Sequence, residues 1–277
     1  MALLGAVAVA CSSPSPSSAE PPSQLNYVAM GDSAAAEPGV PDPAPPPGCQ
    51  KSTNNYPSVL ARRITPAGFS DVTCSGATAQ DITVRAQQTP DGPVPPQIKA
   101  VDANTTLITV TIGGNDVSLA ADAAQCRAAS LDAPPCVDRF VVDGTDSISA
   151  AITAHVPQWA AMIDAIRAKG PGARIVWVGY PTYIRPGGCY PQQPVLPRDA
   201  TYFESKINEL DDQQRQLAVD KGIDYFDTRP MSVGHDMCAP PDQRWVEGFV
   251  PVNPAAPLHP NAMGAAAIGN ALADYLD

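Results

Sequence analysis

Four short motifs hold the residue types that acyl-bond chemistry needs. Ser33 closes Gly31-Asp32-Ser33, and Gly76 lies within Cys74-Ser75-Gly76-Ala77-Thr78. Asn115 follows Gly113-Gly114 and precedes Asp116, and His259 sits in Pro257-Leu258-His259-Pro260-Asn261. A serine hydroxyl beside a basic imidazole is a nucleophile, and a glycine N–H or an asparagine amide can hold a developing oxyanion. Each motif also has a plainer reading. Ser33 and Asn115 could cap helices, and Gly76 could serve only a turn. The chain has three histidines. His155 falls inside a helical pattern and His235 stands in a loop near Cys238. His259 is flanked by Pro260, which fixes the chain beside it just before the last helical segment.

The segments around these motifs alternate in type. Residues 25–30 (LNYVAM), 69–74, 106–112 (TLITVTI), 174–180 (RIVWVGY) and 223–227 (IDYFD) read as buried strands. Residues 56–64, 147–169, 202–221 and 261–276 carry helical spacing, with Pro157 expected to kink the second or restart it. Five apolar strands separated by helices predict an α/β, three-layer, doubly wound fold with a five-stranded parallel sheet. Ligands in such sheets sit beyond the carboxyl ends of the strands. Ser33, Gly76 and Asn115 follow the first three strands, so all three are expected at one rim. The Ser33 hydroxyl and the His259 imidazole are expected to meet there within hydrogen-bonding reach.

The chain has 277 residues, 44% of them apolar, enough for one substantial core. Its 32 prolines cluster in loop-like patches. A formal net charge of −11 argues against nucleic acid and anionic lipid as partners and favours solubility. Seven cysteines include six in the body of the chain, and their spacing suits disulfides in an oxidising compartment rather than zinc. Residues 2–10 (ALLGAVAVA) are too short to span a bilayer and match a signal h-region. They run into Cys11 in a stretch, AVAC, that resembles a bacterial lipobox with Ala8 in place of the usual leucine. Cys11 is therefore a lipidation candidate and a possible membrane anchor. Residues 12–24 read as a Ser/Pro linker, so the expected domain is 25–277 on a secreted or cell-surface protein.

Taken together, the order of these motifs resembles the SGNH (GDSL) hydrolase family, most of all its secreted actinobacterial lipases and esterases. The resemblance runs from about Asn26 to the carboxyl terminus and includes Asn55-Tyr56-Pro57 and the Cys74–Thr78 stretch. It implies a flavodoxin-like sheet and a serine esterase or lipase acting through an acyl-enzyme. Ser33 would be the nucleophile and His259 the base. The Ser33 N–H, the Gly76 N–H and the Asn115 amide would form the oxyanion hole, and Asp32 would have a structural role. It also implies the pairing Cys49–Cys74, Cys126–Cys136 and Cys189–Cys238, one of 15 that six cysteines allow. Many members carry Asp three residues before the histidine. Here that position is Ala256, whose backbone carbonyl is expected to orient the imidazole instead. No metal or organic cofactor is implied, because serine chemistry needs neither. The partner expected is a small-molecule, lipid or glycan ester, and the default assembly is a monomer. Acyl transfer or glycan deacetylation at the same site, and a binding module on a dead scaffold, are the alternatives.

Overall fold

The computed structural model describes residues 1–2 and 24–277. Strands β1 (Asn26–Gly31), β2 (Gly68–Asp71), β3 (Leu107–Thr111), β4 (Arg174–Val178) and β5 (Asp224–Phe226) form one parallel sheet. Its order is β2-β1-β3-β4-β5, so the expected five-stranded parallel sheet is present in the flavodoxin-like arrangement that the family resemblance implies. The helices are α1 (Ser33–Ala36), α2 (Tyr56–Ile64), α3 (Ala79–Thr83), α4 (Leu119–Ala124), α5 (Ser147–Lys169), α6 (Pro197–Lys221), α7 (Arg229–Ser232) and α8 (Ala262–Leu276).

Alternation along each strand builds three layers. Tyr27, Ala29 and Val176 pack toward Tyr56 and Leu60 of α2 and Ile268 and Leu272 of α8. Val28, Met30, Val110 and Trp177 pack toward Trp159 and Ile163 of α5 and Leu210 of α6. Both sheet faces are covered, which explains why the strands read as continuous apolar runs. Trp159 and Trp177 are fully buried and meet edge to face at 6.5 Å. Such aromatic pairs add about 0.5–1.5 kcal/mol beyond area burial.

Two helices depart from expectation. The third helical segment is expected from residue 202, yet α6 starts at Pro197. Proline suits a first helical position because no N–H is needed there. Asp199 in that turn accepts from the N–H groups of Cys136 and Val137, a tertiary anchor with no local sequence signature. Pro157 neither restarts nor divides α5, which runs through it as one helix. Buried Ile152 and Trp159 hold both sides of the proline against the sheet.

All three disulfides pair in the expected sequential order. Cys49–Cys74 and Cys189–Cys238 close separations of 25 and 49 residues. Loop-closure entropy at those lengths corresponds to about 3.5 and 4 kcal/mol. The second braces a satellite core of Ile184, Val195, Ala200, Met237 and Leu258 above the strand ends. Cys11 lies outside the described residues.

Candidate active site

The strand order reverses between β1 and β3, which opens a crevice at their carboxyl ends. Ser33 emerges from β1 on one side of it, and Asn115 from β3 on the other. The turn before Ser33 is tightly specified. Gly31 adopts φ +151°, and a Cβ there would lie 2.6 Å from the Thr111 carbonyl oxygen. The buried Gln97 amide grips this glycine from both sides. Its Oε1 accepts from the Gly31 N–H at 2.8 Å, and its Nε2 donates to the Gly31 carbonyl at 2.9 Å.

The plain reading of Ser33 as a helix cap does not hold. Asp32 caps α1, its Oδ1 accepting from the Ala34 N–H at 2.8 Å. Ser33 is therefore the first helical residue, with its side chain lining the cleft. Asp32 itself is buried, and burial pushes its carboxyl up to about 7 against the pull of its hydrogen bonds. Its other oxygen accepts from the Tyr180 hydroxyl at 2.5 Å. That hydroxyl in turn accepts from the Gly114 N–H at 2.8 Å.

Asn115 and Asp116 tie the β3 exit to the segment that carries Gly76. Asn115 Nδ2 donates to the Ala77 carbonyl at 3.0 Å. The Asp116 carboxylate accepts from the Ala79 N–H and from Trp159 Nε1, both at 3.1 Å. The Gly76 loop is held by Cys49–Cys74 and by Gln87 Nε2, which donates to the Ser75 carbonyl at 2.7 Å. Gly76 is exposed and stands beside the cleft rather than among its lining residues. Neither the Ser33 nor the Gly76 N–H has a hydrogen-bond partner among the described residues.

His259 is half-buried and lines the same cleft as Ser33 and Asn115. Its Nδ1–H donates to the Pro257 carbonyl at 2.7 Å. This corrects the expected acceptor, which was the Ala256 carbonyl. Leu258 adopts the left-handed conformation, φ +63°, and folds the Pro257 carbonyl back under the imidazole. The Ala256 N–H is engaged elsewhere, with the Pro38 carbonyl at 2.7 Å. A left-handed non-glycine residue costs on the order of 1–3 kcal/mol and persists only where its surroundings enforce it. Here the buried Leu258 side chain enforces it by packing into the satellite core. The His259 carbonyl accepts from the Glu247 N–H at 2.9 Å, fixing the backbone beside the ring. Asn261 then caps α8. Burial lowers the imidazole pKa, with the Pro257 carbonyl opposing that shift. With Nδ1 donating, Nε2 carries the free lone pair.

Ser33 and His259 share one cleft, but no hydrogen bond joins their side chains among the described residues. Such contacts often tighten only when substrate binds. The remaining histidines have structural partners. His155 Nδ1 bonds the Ala151 carbonyl, and His235 stacks on Trp245 at 4.0 Å.

The cleft is walled by Leu119, Ala123, Phe203, Met237 and Phe249. Asp116, Gln97 and Tyr180 are the site residues that the motif reading left without a role. Tyr180 had a usable signal, since it leaves a buried strand at the same rim.

A serine, an asparagine and a carbonyl-bound histidine line one cleft at this switch point, the arrangement expected of an SGNH-type hydrolase. The chain belongs to the GDSL-like lipase/acylhydrolase family, whose model matches residues 29–267, and is an esterase or lipase of that kind. It is 37% identical over 251 residues to Lipase 2 of Streptomyces coelicolor, across 87% of this chain and 82% of that one. The crystal structure of phospholipase A1 from Streptomyces albidoflavus superposes with a TM-score of 0.74 at 23% identity, covering 91% of this chain and 99% of that one. The extracellular lipase of Streptomyces rimosus superposes with a TM-score of 0.73 at 24% identity, covering 89% and 99%. The two superpositions establish the shared fold.

Proposed function

We propose that this chain hydrolyses carboxylic esters of apolar acyl chains through an acyl-enzyme on Ser33. The carrying observation is the convergence of Ser33, Asn115 and His259 on one apolar cleft. His259 Nε2 takes the Ser33 proton as the hydroxyl attacks the acyl carbonyl, then returns it to the leaving alcohol. The Pro257 carbonyl holds the imidazole in the tautomer this requires. The tetrahedral oxyanion is held by the Ser33 N–H, the Gly76 N–H and the Asn115 amide. Nδ2 carries two hydrogens and commits one to Ala77, which leaves one for the oxyanion. Water then repeats the attack on the acyl-enzyme.

The cleft wall favours an acyl chain over a sugar, because apolar side chains cannot pair with hydroxyl groups. The three disulfides favour an exported protein. The test is a screen of p-nitrophenyl esters from acetyl to palmitoyl beside acetylated xylan, with fluorophosphonate labelling of Ser33. Turnover of esters longer than acetyl, with label on Ser33, is the expected result. Acyl products that accumulate on an added alcohol in place of free acid would favour transfer. Absence of both label and turnover would favour a binding module.

Asn115→Ala is expected to lower kcat about 100- to 1,000-fold, the usual cost of one oxyanion donor. Steady-state kinetics on the best ester checks this. A loss under threefold in a folded variant would return Asn115 to a purely structural role.

A further inference from the structure

We infer that Tyr180 is a positioning residue whose hydroxyl sets the spacing between the nucleophile turn and the oxyanion loop. The inference rests on the esterase reading above. Strands β1 and β3 are in register up to Gly31 and Thr111. Their last backbone bond runs from the Asp32 N–H to the Thr111 carbonyl at 2.9 Å. Past that point the two chains separate, one toward Ser33 and the other toward Gly114 and Asn115. Sheet hydrogen bonding no longer holds them together, yet the Ser33 N–H and the Asn115 amide must converge on one oxygen. Oxyanion donors work only within about 2.7–3.1 Å of that oxygen.

Tyr180 supplies the missing link. It leaves β4, the strand beside β3, and its hydroxyl lies between Asp32 Oδ2 at 2.5 Å and the Gly114 N–H at 2.8 Å. The proton order follows from chemistry. An N–H can only donate, so the hydroxyl accepts from Gly114 and gives its own proton to Asp32. Tyr180 is itself fixed at its base. Its N–H donates to buried Asp211 Oδ1 at 3.0 Å, and the Gly179 N–H donates to the Phe226 carbonyl at 3.0 Å. A Cβ on Gly114 would lie 3.2 Å from the Tyr180 hydroxyl oxygen, so the phenol occupies the space that this glycine leaves open. The bridge is buried at Asp32 and Tyr180, where water cannot easily replace a lost partner.

Two variants test the bridge. Tyr180→Phe keeps the ring and removes the bridging oxygen. Asp32→Asn keeps a capping oxygen for the Ala34 N–H but turns the facing group into a donor, leaving the hydroxyl proton without its acceptor. Misplacement by about 1 Å costs roughly 100-fold in rate. Each variant is therefore expected to lower kcat and the fluorophosphonate labelling rate by ~10- to 100-fold, with KM within about twofold of wild type. The double variant is expected to be no slower than the slower single one, because both break the same bridge. A merely structural tyrosine would lower the folded fraction without this split between kcat and KM.

A folded Tyr180→Phe enzyme with wild-type kcat overturns the inference, as do losses that multiply in the double variant. If Tyr180→Phe does not fold, Asp32→Asn decides alone, and unchanged kcat there overturns it. Wild-type protein that neither labels nor turns over any ester marks a different failure, that of the esterase reading itself.

Discussion

Ser33→Ala is expected to lower ester turnover by at least ~10⁴-fold while the thermal midpoint moves by no more than about 2 °C. Removing the nucleophile ends the acyl-enzyme route and leaves only what binding and the oxyanion hole supply. The fold tolerates the change because Ser33 holds nothing together. Asp32 caps α1, Gln97 clamps the turn at Gly31, and the Ser33 side chain faces the cleft. Substitutions away from packing and hydrogen bonds usually stay within about 0.5 kcal/mol. Ester kinetics and a thermal melt on the same preparation provide the check. A folded variant that keeps a tenth of wild-type turnover would remove Ser33 from the chemistry.

His259→Gln is expected to cost about as much in kcat, because Ser33 and its base act as one unit. The pH profile of the wild-type enzyme gives an independent reading. Neutral imidazole is the working form. Burial pushes its pKa down, so activity is present above the lowered value and lost as pH falls through it. The acid limb of kcat/KM is therefore expected below the ordinary histidine value of about 6.5. The stability consequence has a definite sign. As pH drops past the ordinary value, the unfolded chain takes up the proton before the native protein does. Histidine protonation therefore destabilises the fold at acid pH. A profile from pH 4 to 9 tests the assignment. An acid limb near 7 would transfer control to Asp32, whose carboxyl burial lifts to about 7.

What could be read from the sequence was local. The runs 25–30, 106–112 and 174–180 are apolar and β-branched or aromatic, so each announces a strand buried on both faces. Functional residues in doubly wound sheets gather just past strand ends, so Ser33 and Asn115 could be located by counting from those runs. His259 was legible because two prolines and a helix start bracket it. Even the disulfide pairing followed from the resemblance, although spacing by itself left 15 choices.

The departures arose where a contact depends on distant chain or on one backbone angle. The carbonyl under His259 belongs to Pro257, not Ala256, because Leu258 adopts φ +63°. That angle is imposed by packing against Ile184, Val195 and Met237, which no local pattern encodes. The early start of α6 depends on Asp199 meeting Cys136 and Val137 from more than sixty residues away.

Composition and periodicity alone determined the layered sheet, the rim where chemistry belongs and the residue types able to perform it. Those properties follow from the alternation of side chains along a strand and from glycine-containing strand exits. Only the folded chain decided which carbonyl orients the imidazole, which residue caps α1, and that Tyr180 spans from Asp32 to Gly114. The physical reason is range: strand formation is biased by neighbouring residues, whereas the Tyr180–Asp32 bond joins groups 148 positions apart and exists only after the sheet has assembled.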